Sequence, residues 1–418
     1  MSFPSFSGGQ CYVESVALSE IARDFGTPCY VYSRAAIDAA FDEFADVLRG
    51  IDALVCYAIK ANPGLAILDL FARKGAGFDI VSGGELERAL AVGADPEKIV
   101  FSGVGKTADE MRFALNSGIC CFNVESEPEL DRLAGVAVGL DKKAPVSLRV
   151  NPDVDAGTHP YISTGLKENK FGVAFQDAQR LYRKAATLPG IEIRGIDCHI
   201  GSQILDPAPF FEALDKVLLL VDQLAADGIA LRHIDLGGGF GIRYTVETEP
   251  PVASYLRPIL ERLRGRGLKL LLEPGRRLVG NAGLLLTRVE YLKTGGAKNF
   301  AVVDAAMNDL MRPALYGALH DIVLAAPDAS NAARELREWE IVGPVCESGD
   351  FLGKSRTLSL APGDLLAVLS AGAYGMSMSS NYNSRPRAAE VVVDGARAHL
   401  VRRRESIKTL YENESPLP

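Results

Sequence analysis

The sequence predicts an α/β plus all-β fold, a (β/α)8 TIM barrel followed by a C-terminal β-sandwich or β-barrel domain. Between residues 50 and 280, apolar runs rich in strand formers recur about every 20 to 40 residues, each followed by an amphipathic, helix-like stretch. Strands that alternate with helices pair in parallel, because each crossover helix returns the chain to the same end of the sheet. Eight such runs close a barrel, and their span of ~230 residues is its usual size. After residue 281 the rhythm changes to β-like runs separated by turn residues, with little helical periodicity. A doubly wound open sheet is the rival for the first part.

In order, the eight runs are "ALVCYAIK" (53–60), "GFDIVS" (77–82), "IVFSG" (99–103), "CCFNVE" (120–125), "PVSLRVN" (145–151), "IRGIDCHIG" (193–201), "HIDLGGG" (233–239) and "LKLLLEPG" (268–275). Between them, "GGELERALAVG" and "EPELDRLAGVAVG" carry apolar residues at helical spacing. The later β-like runs include "LLLTRVEYL", "FAVVDA", "WEIVGPV", "DLLAVLS" and "AEVVVDG". "CYVYS" (29–33) also reads as a strand, and the pattern leaves open whether it joins the β domain or leads into the barrel. A chain of 418 residues suits two domains rather than one small core.

The formal charge of −8 and a pI near 5.4 argue against nucleic acid as the main partner, since phosphate binding needs a dense basic surface. The "RRR" of Arg402 to Arg404 reads as a solvated face. The seven cysteines are odd in number and lack C-x-x-C spacing, so neither a disulfide framework nor a metal site is suggested. Reduced thiols in a cytoplasmic protein are expected. The start, "MSFPSFSGGQ", lacks the marks of a signal peptide, and no run of 18 apolar residues suggests a membrane span.

In barrels of this class the chemistry sits where strands end and βα loops begin. Here those ends carry Lys60, Asp79 with Ser82, Ser102, Asn123 with Glu125, Asn151, His199 with Ser202, Gly237 to Gly239, and Glu273 with Arg276. "GGGFG" (237–241) and "EPGR" (273–276) follow the seventh and eighth strands, the common phosphate site of such barrels. An amine at the end of the first strand, facing a phosphate site, suits a phosphorylated aldehyde held as a Schiff base, with pyridoxal 5′-phosphate the expected cofactor. Glu273 then keeps the ring nitrogen protonated, which favours decarboxylation, although pairing with Arg276 or Arg277 would explain it equally. His199 is either a ring-stacking residue or a satisfied core histidine.

The motifs "YAIKAN", "GFDIVSGGEL", "HIGSQ", "DLGGGFG", "EPGR", "RPALY", "CESGD" and "AGAYGMSMSSNYNSRPR" resemble those of the diaminopimelate decarboxylases, fold-type III pyridoxal-phosphate enzymes, from about residue 10 to 400. The resemblance implies an alanine racemase-like barrel (36–280), a β domain (281–418) and an N-terminal segment (1–35) packing with the latter. It also implies a head-to-tail homodimer with shared active sites. By motif, Lys60 is the Schiff-base lysine, His199 stacks on the ring and Glu273 meets its nitrogen. Gly237, Gly238, Gly239, Gly275, Arg276 and Tyr374 surround the phosphate, and the rim residues Asp79 and Ser202 complete the cofactor set. Arg276, Arg312, Tyr316 and Tyr374 are expected at the substrate. Cys346 resembles the general acid and Glu347 a substrate ligand, both from the partner subunit.

Without the motifs, Cys346 would read as a small buried hydrophobe and Arg312 and Tyr316 as surface residues four apart on a helix. Two arginines and a glutamate at the distal site suit a zwitterionic amino-acid terminus. The expected reaction is therefore decarboxylation of meso-2,6-diaminopimelate at its D-centre, giving L-lysine and CO2. An ornithine, lysine or arginine decarboxylase of the same fold is the alternative, and a catalytically silent cofactor carrier the reading from a different class. "THPYISTGLKENKFG" (158–172) fits the loop after strand five, and 324–340 is assigned no function.

Overall fold

The computed structural model describes residues 3–155, 170–326 and 334–418. Eight parallel strands form the barrel: β1 (Ala53–Ala58), β2 (Gly77–Ile80), β3 (Ile99–Phe101), β4 (Cys121–Val124), β5 (Ala144–Asn151), β6 (Ile191–Asp197), β7 (His233–Asp235) and β8 (Lys269–Leu272). Each pairs with the next, and β8 returns to β1 through Leu270↔Ala53 and Leu272↔Val55. The ladder closes, so the open doubly wound sheet is excluded. A two-residue strand, Val173–Ala174, adds to β5.

Most strands stop short of the apolar runs that announced them. β1 ends at Ala58, and Lys60 lies in a 3₁₀ turn, Ile59–Ala61, rather than at the strand's last position. β7 has three residues, because the Asp235 carboxylate accepts the Gly237 N–H at 2.9 Å and turns the chain out of the ladder. Helices start at this rim on side-chain caps. Ser82 accepts the Glu85 N–H and Ser126 the Glu129 N–H, while Thr107 and Glu110 form a capping box. Ser82, expected among the rim's chemical groups, therefore serves as a helix cap. Leu54, Cys56, Val100, Cys121 and Leu271 form one buried apolar cluster of the barrel strands.

The chain divides into two compact units, Phe41–Gly241 with Thr248–Arg277, and Met1–Ala40 with Ile242–Glu247 and Leu278–Pro418. The second unit holds a nine-stranded sheet. Its central strand, Gly283–Thr294, pairs with Asn299–Val303, Leu365–Val368 and Cys29–Ser33. Cys29–Ser33 also runs parallel to Ala389–Asp394, so "CYVYS" belongs to the β sheet. Its Cys29 and Val31 pack with Leu284, Leu286, Ala367, Val391 and Val393 in one core. Residues 158–169 of the loop after strand five, and 327–333 of the unassigned stretch, lie outside the described residues. Among the described residues no helix is long and apolar enough to cross a membrane.

Candidate active site

Lys60 is set by its own turn. Tyr57 donates its hydroxyl to the Asn62 carbonyl at 3.0 Å, and the Ala58 N–H donates to the Pro274 carbonyl at 3.2 Å. The Lys60 Nζ lies 2.6 Å from Asp79 Oδ2; the lysine side chain is 38% exposed and the aspartate fully buried. Asp79 sits opposite Ala58 in the β1–β2 register, which brings the carboxylate level with the end of β1. Next to this pair, burial raises the Glu85 carboxyl to about 7, with Asp79 adding to the shift and the Val81 N–H opposing it.

Across the barrel mouth stands a wall of buried acids. Glu273 Oε1 accepts from Asn123 Nδ2 at 3.2 Å and from the Ser102 hydroxyl at 3.3 Å. Burial, then the charges of Asp235 and Asp79, push its carboxyl well above the ordinary range. The arginines that could have explained it structurally are engaged elsewhere: Arg277 with Glu43 and Glu249, and Arg276 with the Ser202 hydroxyl at 2.9 Å. Arg149, also buried, bonds Glu125 at 3.1 Å and lies 3.9 Å from Asp197.

The glycines shape the third side. Gly237 and Gly239 adopt φ of 65° and 97°, the left-handed region that disfavours a side chain. A Cβ on Gly237 would stand 2.5 Å from the His199 ring, and one on Gly238 2.2 Å from the Glu273 carbonyl. The Gly238 N–H donates to His199 Nδ1 at 3.2 Å. His199 is therefore an acceptor at Nδ1, and burial holds its pKa well below the usual value, so it presents a neutral ring. A Cβ on Gly275 would stand 3.0 Å from the side chains of Ala58 and Ala61, which lie on either side of Lys60 in the chain. In this unit the fold thus gathers Lys60, Asp79, His199, Ser202, Gly237 to Gly239, Glu273, Gly275 and Arg276 at one rim.

The remaining expected residues lie in the β-sheet unit. Arg312 and Tyr316 begin and end one short helix. The Arg312 guanidinium lies 4.8 Å from the Tyr244 ring centroid and 6.0 Å from that of Tyr316, and its Nε–H points to His320 Nε2 at 3.4 Å. His320 Nδ1, 2.8 Å from the Leu369 carbonyl, is then the protonated nitrogen. Cys346 and Glu347 are exposed, and Cys346 is the one exposed cysteine of the seven. The Cys346 N–H donates to Asn383 Oδ1 at 3.1 Å, and the Tyr382 hydroxyl donates to Glu347 Oε1 at 2.6 Å. Tyr374 holds a left-handed φ of 56°.

Sequence reading missed Asp197 and Asp235, because running β6 and β7 on to the histidine and the glycines hid the carboxylates that end them. It also missed Arg149, hidden inside an apolar run, and Tyr244 and His320, which have only tertiary proximity to Arg312 to mark them.

The barrel rim fits pyridoxal phosphate. An aldehyde needs a primary amine, a phosphate needs backbone N–H groups and an arginine, and a pyridine nitrogen needs an acid. Asp79 Oδ1, Asn123 Oδ1, Asp197 Oδ1 and Asp235 Oδ2 are buried oxygens with no hydrogen bond among the described residues, an excess of acceptors suited to a ring that arrives protonated.

Comparisons with known proteins agree. Residues 34–280 match the family described as "Pyridoxal-dependent decarboxylase, pyridoxal binding domain". The chain is 60% identical over 415 residues to a diaminopimelate decarboxylase of Pseudomonas aeruginosa, covering 99% of each. It superposes with a TM-score of 0.91 on a Helicobacter pylori diaminopimelate decarboxylase complexed with L-lysine, 43% identical, over 95% of this chain and 99% of that one. With the enzyme of M. jannaschii the TM-score is 0.93 at 36% identity, over 99% and 98%. Matched from end to end by such relatives, and built around the same pyridoxal-binding barrel, the chain belongs to the diaminopimelate decarboxylase family.

Proposed function

We propose that the chain removes the D-centre carboxylate of meso-2,6-diaminopimelate, releasing CO2 and L-lysine, as the last step of lysine biosynthesis. The observation that carries this reading is that one barrel rim holds the Lys60 amine, paired with Asp79, together with the buried Glu273 carboxyl and a glycine turn. The cofactor, when bound, supplies an electron sink for the pair of electrons left as CO2 departs.

The residues divide the remaining work. Lys60 Nζ would hold the cofactor through its aldehyde and would take up and return a proton at that nitrogen, with Asp79 keeping the amine in place. His199 offers a flat neutral face, Gly237 to Gly239 with Gly275, Arg276, Ser202 and Tyr374 hold the phosphate, and Glu273 keeps a proton at the ring nitrogen. Arg276, Arg312 and Tyr316 bind the distal carboxylate, and Glu347 the distal ammonium. Cys346 Sγ, or a water it orients, returns a proton to the carbon that has lost CO2.

Cys346 and Glu347 come from a second copy in a head-to-tail homodimer, a reading supported by their exposure in the single chain. A cytoplasmic setting suits the seven free thiols. The test is lysine formation from meso- and LL-diaminopimelate, against ornithine and arginine, with and without added pyridoxal phosphate and with Lys60→Ala as control. Cofactor-dependent turnover of the meso isomer is expected. Turnover of ornithine without turnover of diaminopimelate overturns the reading.

A further inference from the structure

Glu273 does not stand alone. Its carboxylate, with those of Asp197 and Asp235, forms a buried group in which one oxygen from each lies within 4.8 Å of the others. Asp197 faces Arg149, but Asp235 is held differently. Its Oδ1 accepts the Gly237 N–H at 2.9 Å, and the Gly237 carbonyl in turn accepts the Glu273 N–H at 2.8 Å. Asp235 and Glu273 each place a carboxylate oxygen within 4.8 Å of the other, and Asp235 Oδ2 has no hydrogen-bond partner among the described residues. Two acceptors can satisfy each other only when one of them carries a proton.

We propose that Asp235 is a positioning residue for Glu273, the two carboxyls holding one proton between them so that the pair presents a single negative charge to the cofactor's ring nitrogen. The inference rests on the reading of Glu273 as the ring-nitrogen partner. A doubly ionised pair would place two like charges in a buried site against one cation, whereas one shared proton leaves the charges matched. Burial first, and neighbouring carboxylates second, push both groups upward, Asp235 to about 8. The charged groups facing the pair are Asp197, Asp79, Arg149 and Lys60; the thiols of Cys56 and Cys198, also pushed up by burial, stay neutral there. Gly237 joins the pair to the glycine turn, so the acid that meets the ring and the turn expected at the phosphate share one peptide.

The test compares Asp235→Asn, Asp235→Ala, Glu273→Gln and the Asp235→Ala/Glu273→Gln double variant by cofactor titration, following affinity and the visible spectrum across pH. An asparagine mimics a protonated aspartate: it accepts from Gly237 and donates to Glu273. Asp235→Asn is therefore expected to keep cofactor affinity within about threefold, while Asp235→Ala loses on the order of tenfold or more. In the Glu273→Gln background the alanine change should cost much less, because its partner is gone. The alkaline limb of the profile, where the pair gives up its shared proton, should move to higher pH or vanish in Asp235→Asn, because an amide has no such proton to lose, while the acid limb stays in place.

Equal losses in Asn and Ala, an undiminished alanine effect in the Glu273→Gln background, or an alkaline limb unchanged in Asp235→Asn each overturn the proposal. If Asp235→Ala does not fold, the alkaline limb of Asp235→Asn decides. A Glu273→Gln protein with wild-type affinity and spectrum sinks the Glu273 reading and this inference together, whereas the other failures sink the inference alone.

Discussion

A lysine ammonium 2.6 Å from a fully buried aspartate, and an arginine guanidinium among Tyr244, Tyr316 and His320, are charges held in place by tertiary partners. Each such residue has a separable kinetic signature. Arg312→Ala should raise KM for diaminopimelate by the equivalent of about 1.5–3 kcal/mol, the loss of one charge-assisted hydrogen bond, with a smaller change in kcat. A normal KM would place the distal carboxylate elsewhere. Cys346→Ser should lower kcat at nearly constant KM, because a serine hydroxyl is a far weaker acid than a thiol. A change in KM alone would contradict the proposed proton-donor role. Lys60, Glu273 and the glycines were legible in the sequence because each is an unusual residue at a strand end. Asp235 was not, because an aspartate before a glycine turn looks like ordinary turn chemistry.

Among the connecting elements, the loop after β3 depends on one buried cation. Lys106 Nζ bonds the Gly103 and Asn123 carbonyls, each at 2.7 Å, and Glu129 Oε1 at 2.8 Å, with its side chain fully buried. It ties the ends of β3 and β4 to the helix Glu127–Gly139, and so fixes Ser102 and Asn123 where they donate to Glu273. Lys106→Met should cost about 3–5 kcal/mol of unfolding free energy, because Glu129 keeps a buried charge without its partner. Urea denaturation measures this, and a loss below about 1 kcal/mol would mean that water replaces the amine. Nothing in "SGVGKTADE" distinguishes this lysine from a solvated one. The barrel alternation was legible because period and length are local properties, but the strand ends were overrun. Where a strand stops depends on which side chain captures the next backbone N–H, as Asp235 captures that of Gly237.

Taken over the whole molecule, the buried ionisable groups set how stability depends on pH. The carboxyls of Asp309, Glu85 and Asp235 bind protons more tightly when folded, at about 6, 7 and 8. Their folded pKa values lie above the unfolded ones, so the fold holds more protons than the unfolded chain and loses stability as pH rises through that range. His233 works the other way. Burial, Lys269 and Arg194 depress it from 6.5 to about 4, so the fold loses stability as pH falls across that window. Above pH 6.5 the carboxyls act alone. The Tm of the cofactor-free protein should fall between pH 6.5 and 8, and pyridoxal phosphate should flatten the decline by giving Glu273 a cationic partner. Thermal scans across pH check this, and a Tm that rises over the interval would contradict it.

The sequence by itself determined the alternation of eight strands with helices, the later β sheet and the polar residues at the strand ends, because hydrophobic period, strand count and residues such as Lys60 and Glu273 are written locally. Only the tertiary structure decided that the ladder closes from β8 to β1, that Cys29–Ser33 joins the β sheet, and that Arg277 turns to Glu43 and Glu249 and away from Glu273. It also brought Asp197, Asp235 and Glu273 together from three strands. Those outcomes depend on pairings between residues far apart in the chain, and a buried charge has to be neutralised by whatever the fold places beside it.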